Sequence, residues 1–576
     1  MLCAKFNAGV KFGTPLNASL VMSIKGLSTE HCMNAKSFSQ KLLSRAVCAT
    51  LGTMMFATAF AATTMPSSSV QTSWGAVNEP LLPGDSAVCA NVPATQKPVN
   101  GLLDASVDAD PTKSAPDTKS IQTAINNCPV GGAVKLIAGT NGETGFLTGP
   151  ITLKSGVTLW IDKGITVFGS RNPADYDSGL GICGIANTNG SSSCYALFNG
   201  NHLANSGIVG EGVIDGRGGA VLSKGPNAGI RTWWDVAYQT KTSKVTQHNP
   251  RLLNINGGSH FTLYGVTLQN SPNFHVVLDG LDTITAWDIK ILSPSLAYTK
   301  PGYACAKGTT PGTVTGTYAT CFTPETVKNT DGFDPGESSH VLLAYSYIST
   351  GDDHVAVKAG SGSGSQHLMF AHNHLYYGHG LSIGSETTTG VSDMTVDDLV
   401  VDGHDSSESV GIRIKSDATR GGLVNGVAYQ GVCMRNVRQP LVFDAFYSSA
   451  KSKTKYPSFK NISVTNFHDT GSTAYGGGLA VFAAYSKYPL QITLNNVQFD
   501  GTQPTTYMKG HNGSPSVLPA NVAFTFGPGT VSFAKELEQQ HGGGVTFVDA
   551  ITQSPAPVDC SNAFVTYSSV SANAPF

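Results

Sequence analysis

One unit recurs down the chain: an apolar stretch, broken midway by a polar residue or glycine, then Asn, Asp, Gly or Ser. It reads VTLWIDKGITVFG from Val157, SHVLLAYSYIST from Ser339, QHLMFAHNHLYYG from Gln366, SDMTVDDLVVDG from Ser392 and QITLNNVQFDG from Gln491. The middle units start 27 (366 − 339) and 26 (392 − 366) residues apart. A unit this short cannot bury its own apolar face, whereas stacked copies bury one continuous core. The period therefore predicts an all-β solenoid, a right-handed parallel β-helix. A β-sandwich would join its strands as hairpins through two-residue Asn-Gly-type turns, and these are scarce. The 65 glycines and 13% charged residues suit a fold of many tight turns, and 40% hydrophobic residues exclude a disordered chain.

Around this core the chain divides into four parts. Met33–Ala61 has a basic start (Lys36, Lys41, Arg45), an apolar run from Ala46 to Phe60 and the small-x-small triplet Ala59-Phe60-Ala61. It reads as a secretory signal, too short and weakly apolar for a membrane span, with translation starting at Met33 and residues 1–32 an extension ahead of it. Residues 62–116, rich in Pro, Ser and Ala, read as a leader with one strand. Residues 117–576 read as one catalytic β-helix domain. Within it TKSIQTAINNC, Thr118–Cys128, spaces Ile121, Ala124 and Ile125 along one helical face with Thr118 as N-cap, and would cap the N-terminal end of the core.

Cysteine and charge counts agree with export. Of 11 Cys, eight follow residue 61, an even number that fits disulfides in an exported chain. Cys183–Cys194 and Cys305–Cys321 each close a short loop and are the preferred pairs; Cys89, Cys128, Cys433 and Cys560 could pair in several ways. Removing residues 1–61 takes six Lys/Arg and one Glu, which leaves 30 − 37 = −7. Such a chain offers no basic arm for nucleic acid, and a polyanionic ligand would have to meet a local basic cluster.

The chemistry-bearing residues fall into register when the coils are aligned. Asp331 precedes the coil that starts at Ser339, Asp352-Asp353 follows it, Gly378-His379-Gly380 follows the next, and Arg413-Ile414-Lys415 lies one coil further. Coils stack at roughly 4.8 Å, so these positions form one column. Alternation along a strand puts Arg413 and Lys415 on one face with Ile414 in the core. Three carboxylates, a histidine and two cations therefore share a ridge. Each motif alone is weak, because Asp-Asp pairs and Gly-flanked His are common turn residues; the shared register makes the set specific.

Asn329-Thr330-Asp331, Gly351-Asp352-Asp353, Gly378-His379-Gly380 and Arg413-Ile414-Lys415 resemble, complete and in order, the four signature motifs of the polygalacturonases, pectin-degrading glycoside hydrolases of family 28. The resemblance spans roughly residues 110–510. The longer forms NTDGFDP, GDDHVAVKAG, GHGLSIGSET and GIRIKSD are most similar to those of bacterial plant-pathogen endo-polygalacturonases. It implies an inverting hydrolase in which Asp352 is the general acid and Asp331 and Asp353 activate the water, with His379 orienting the acid. Asn329, Arg413, Lys415 and Tyr447 would contact substrate. It also implies no metal or cofactor, polygalacturonate as the partner, a secreted product, and a monomer without membrane attachment.

Glycosidic cleavage needs an acid for the leaving oxygen and a base for water, and three crowded carboxylates cannot all ionise easily. Which one keeps its proton is a property of the coupled set that the sequence leaves open. Three alternatives also stay open: an exo-polygalacturonase or rhamnogalacturonan hydrolase, a Ca²⁺-dependent pectate lyase, and a non-catalytic polysaccharide-binding solenoid. The insertion Tyr298–Thr326 is the loop that could close one end of the cleft and enforce exo action.

Overall fold

The computed structural model describes residues 68–188, 194–448, 454–485, 487–488, 490–500 and 558–576, with backbone strands at 505–507 and 522–525. The start at Met33 and the export signal lie outside these residues. Parallel strands wind into a right-handed β-helix with three ladders around one core. The ladder beside the aligned acidic and basic motifs runs through Phe333–Gly336, Val355–Val357, Leu381–Ile383, Val410–Lys415 and Gln439–Asp444.

The register is the one the repeat predicts. Ser339 pairs with Gln366 and Gln366 with Ser392, which reproduces the 27- and 26-residue offsets. Pairing in register stacks like on like inside the coil. Leu343, Phe370, Val396, Tyr429, Val464 and Leu494 follow one another across successive strands, all buried. A one-residue slip would turn each of these out to solvent, so the core itself fixes the register. Phe370→Ala is accordingly expected to cost about 3–5 kcal/mol, read as a shift in the denaturant midpoint; a change under 1 kcal/mol would mean that the stack collapses around the gap.

Two expectations need correction. The first helix runs Thr118–Asn127 with Ile121 and Ile125 buried, but its N-cap is Asp117. The Thr118 hydroxyl is instead within hydrogen-bonding distance of that of Thr148 and accepts from the Gly149 amide. A second helix, Trp233–Ser243, was not anticipated, because WWDVAYQTKTS shows no helical spacing of apolar residues. It is set by a capping box: Thr232 accepts from the Asp235 amide, and the Asp235 carboxylate accepts from the Thr232 amide. The four-residue turn Pro173–Tyr176 is also helical.

The segment expected as a leader with one strand holds three. Ser69–Thr72 and Gly75–Asn78 form a hairpin, from which Val70, Trp74 and Val77 cover Trp287, Leu342 and Met369. Val88–Pro93 pairs in parallel with Ala133–Ile137 and so lengthens the solenoid. Its apolar residues are too few to stand out from the proline-rich sequence around them.

All eight cysteines after residue 61 are paired: Cys183–Cys194 and Cys305–Cys321 as preferred, with Cys89–Cys128 and Cys433–Cys560 completing the set. From Cys560 the last residues run back along the solenoid toward its N-terminal coils. Tyr376 Oη donates to Val565 O (2.7 Å), Tyr567 Oη to Ile291 O (2.9 Å), and Asn573 Nδ2 to Gln269 Oε1 (3.1 Å). No helix among the described residues is long and apolar enough to cross a membrane.

Candidate active site

Phe333 pairs with Val355, Val355 with Leu381 and Leu381 with Ile412. Asp331, Asp353 and His379 each stand two residues before these partners and therefore share one row. Main-chain bonds lock the turns together: Gly332 N donates to Asp353 O (2.9 Å) and His379 N to Asp352 O (2.8 Å). The glycines flanking His379 are required by close approach. A Cβ on Gly378 would lie 2.6 Å from His354 Nε2, and one on Gly380 2.3 Å from Gly411 O. Both residues also have positive φ, of 146° and 86°.

The side chains form two linked groups. In the first, Asp352 Oδ1 faces His379 Nδ1 at 3.0 Å and Asp352 Oδ2 accepts from Asn329 Nδ2 at 3.3 Å. His379 Nε2 faces Glu408 Oε2 at 3.3 Å, and Glu408 is paired with Lys328 at 2.9 Å. In the second, Asp353 takes Lys415 Nζ on one oxygen (2.6 Å) and Arg413 Nη2 on the other, while Ser382 Oγ donates to Asp353 Oδ1 at 3.2 Å. Arg413 and Lys415 share a face, as alternation requires, and both are almost fully buried. Both are also spent on Asp353, which the sequence did not foretell. Tyr447 is half-exposed beside them, its ring 5.0 Å from Lys415 Nζ.

Electrostatics separate the three carboxyls. Burial lifts Asp331 far above its ordinary range, reinforced by the Asp352 and Asp334 charges. Burial also works against ionised Asp352, but the His379 imidazolium and its hydrogen bond, aided by Lys415, outweigh it and hold this carboxyl low. Asp353 is likewise held low against burial, by Arg413 and then Lys415. Burial favours neutral His379, yet Asp352 and Glu408 raise its affinity for a proton. Burial and neighbouring charges thus favour the protonated form of Asp331 over those of Asp352 and Asp353, and raise the proton affinity of His379 beside Asp352.

Sequence reading missed Glu408, Lys328 and the Asp334–Lys358 pair. Asp334 Oδ2 lies 2.8 Å from Lys358 Nζ, and burial pushes Asp334 up to about 6 against that cation. The signal was present in FDP and VAVK, whose Asp and Lys alternate with core residues. Asp352, Asp353 and His379 converge closely enough to be considered as metal ligands. Their donor atoms, however, are engaged by Arg413, Lys415, Glu408 and one another, so two fixed cations already balance this group. The insertion Tyr298–Thr326, closed by Cys305–Cys321, packs Tyr298, Ala319 and Phe322 onto Trp234, and its Gly302 amide donates to Pro575 O.

Comparison with known proteins gives this site a lineage. The family described as Glycosyl hydrolases family 28 matches residues 128–517, which include every residue of the cluster. The chain belongs to this family. Its relatives include a polygalacturonase of Ralstonia nicotianae, 58% identical over 512 residues, 88% of this chain and 95% of the relative. An endo-polygalacturonase of Pectobacterium carotovorum subsp. carotovorum is 40% identical over 386 residues, 67% of this chain and 84% of that protein. A solved polygalacturonase from Erwinia carotovora ssp. carotovora superposes with a TM-score of 0.60 at 34% identity, covering 75% of this chain and 96% of that one.

Proposed function

We propose that the chain hydrolyses α-1,4-galacturonosidic bonds within polygalacturonate by acid/base catalysis with inversion. The observation that carries this reading is the compact group of Asp331, Asp352 and Asp353, the last of them paired directly with Arg413 and Lys415: proton-transfer groups and carboxylate-binding cations in one place. Asp352 is the general acid and draws its proton from His379 across their hydrogen bond. A bound galacturonate carboxylate offsets the cations that hold Asp352 low, and burial, the largest influence on that carboxyl, then favours its protonated form. Asp353, kept ionised by its two cations, is the base for water; Asp331, neutral, donates a hydrogen bond to it. Asn329 and Tyr447 position the sugar next to the acid and to Lys415.

Asp352 and Asp353 bring oxygens within 4.8 Å of one another, closer than the roughly 6.5–9.5 Å usual for inversion. Inversion is proposed nonetheless, because the resemblance to the family 28 polygalacturonases implies it. The first-formed product should be the β-anomer by proton NMR; a dominant α-anomer would indicate retention. Endo action is supported by the packing of Tyr298–Thr326 onto Trp234 and by the name of the Pectobacterium relative. Product chromatography over time decides it: a ladder of mixed oligomers signals endo cleavage, and monomer or dimer alone from the start signals exo cleavage. The four disulfides support export, and a monomeric secreted enzyme is the form we infer.

The His379–Asp352 pair makes a pH prediction. Wild type holds its working proton on a histidine raised above its ordinary value of ~6.5, so activity falls on the alkaline side as that proton leaves. In His379→Ala the proton must reside on a carboxyl alone, and the alkaline limb of kcat/KM should move to lower pH. An unmoved limb would show that the histidine is not the reservoir.

A further inference from the structure

On the N-terminal side of the catalytic row, the same strand face opens into a groove of about 460 Å³. Asn199 pairs with Asn254 and Asn201 with Asn256, so four amides stand two by two on its floor. Tyr195 is 54% exposed at its edge. Among the described residues of its lining, Arg251 is the only Lys, Arg, Asp or Glu; its Nη1 donates to Asn254 Oδ1 at 2.6 Å. Gln247, also in the lining, donates to Asn329 Oδ1 at 3.0 Å, which connects the groove to the partner of Asp352. Pairing runs Phe198, Leu253, Val276, Phe333, Val355, so four strand steps, roughly 19 Å, separate the strand of Asn199 from that following Asp353.

The two sides of the catalytic row therefore differ in charge. One holds Arg413 and Lys415. The other presents amides, which both donate and accept and match hydroxyls or ester carbonyls without requiring a charge. An exposed tyrosine face next to them offers an apolar platform of sugar-ring size. We propose that this groove is a distal sugar site that accepts methyl-esterified galacturonate units, with Arg251 as its single reader of an ionised carboxylate. The proposal rests on the polygalacturonate reading for its substrate class. It assigns Tyr195, Arg251 and Asn254 roles in specificity that no motif of the sequence indicated.

Calorimetric titration of a chain carrying Asp352→Asn with a galacturonate hexamer, free or partly methyl-esterified, tests the site without turnover, alongside KM and kcat measured in the chain that keeps Asp352. Tyr195→Ala should weaken binding of both ligands roughly threefold to tenfold and raise KM with little change in kcat. That effect should fade on trigalacturonate, which is too short to span both regions. Asn254→Asp should pair with Arg251 and repel carboxylates, and so weaken the free hexamer several-fold more than the esterified one. Added salt should shrink that difference. Unchanged hexamer affinity in Tyr195→Ala, a loss equal on trimer and hexamer, or an Asn254→Asp penalty equal for both hexamers would each overturn the proposal. A wild type that binds through Tyr195 but releases no product would instead sink the hydrolase reading and leave the sugar site standing.

Discussion

Asp352→Asn is expected to fold like the wild type and to lose turnover by about 10²–10⁴-fold. An amide has the shape of the carboxyl and keeps one acceptor oxygen, so it can retain the 3.0 Å contact with His379 while its NH2 replaces the acceptor that faced Asn329 at 3.3 Å. What it cannot do is give a proton to the departing sugar oxygen. His379 keeps Glu408 as counter-charge, so the substitution does not strand a cation. The fitting measurement is kcat on polygalacturonate together with a thermal melt. A folded variant within tenfold of wild-type kcat would remove Asp352 from the acid's role.

Arg413→Ala should cost as much stability as Phe370→Ala, through charge rather than packing. Asp353 is buried against Arg413 and Lys415, and removing one partner leaves a charge that burial opposes, a loss of about 3–5 kcal/mol. The sign with pH separates this from a packing defect. In the wild type the lowered Asp353 adds stability above its unfolded value of ~3.9, and that stability is lost as pH falls through the folded value. With Arg413 gone, burial weighs more heavily and the carboxyl moves upward, so the variant should lose further stability as pH rises. The gap between variant and wild type should be wider at pH 7 than at pH 4 in paired melts. An equal gap at both would point to lost van der Waals contact alone. Substrate affinity should fall as well, because the freed Asp353 repels galacturonate.

Much of this was legible in the sequence, for a specific reason. Coils that pair in register convert a spacing in the chain into a neighbour in space, so the 27- and 26-residue steps gave the ladder, and aligning the coils on it gave the row of Asp331, Asp353 and His379. Features outside the repeat were not legible. Glu408 lies in the turn DSSES and meets His379 only because two coils stack. The helix at Trp233 is fixed by its cap rather than by periodicity. The proton's location depends on burial depth and on which cation reaches which oxygen. Arg413 and Lys415, read from the sequence as cations for substrate, both pair with Asp353 and hold its carboxyl low.

The returning C-terminal segment changes how such a molecule comes apart. A bare solenoid is a row in which each coil holds only the next, and it can fray one layer at a time from either end. Here a single strap is anchored at Cys433 and ends beside Gln269, coils that lie 164 residues apart (433 − 269) in the chain. Coils in between cannot peel away without first releasing the strap from Tyr376 and Ile291. The turns at Asp331, Asp352 and His379 all fall within the strapped span, so the coils that present them come apart together or not at all.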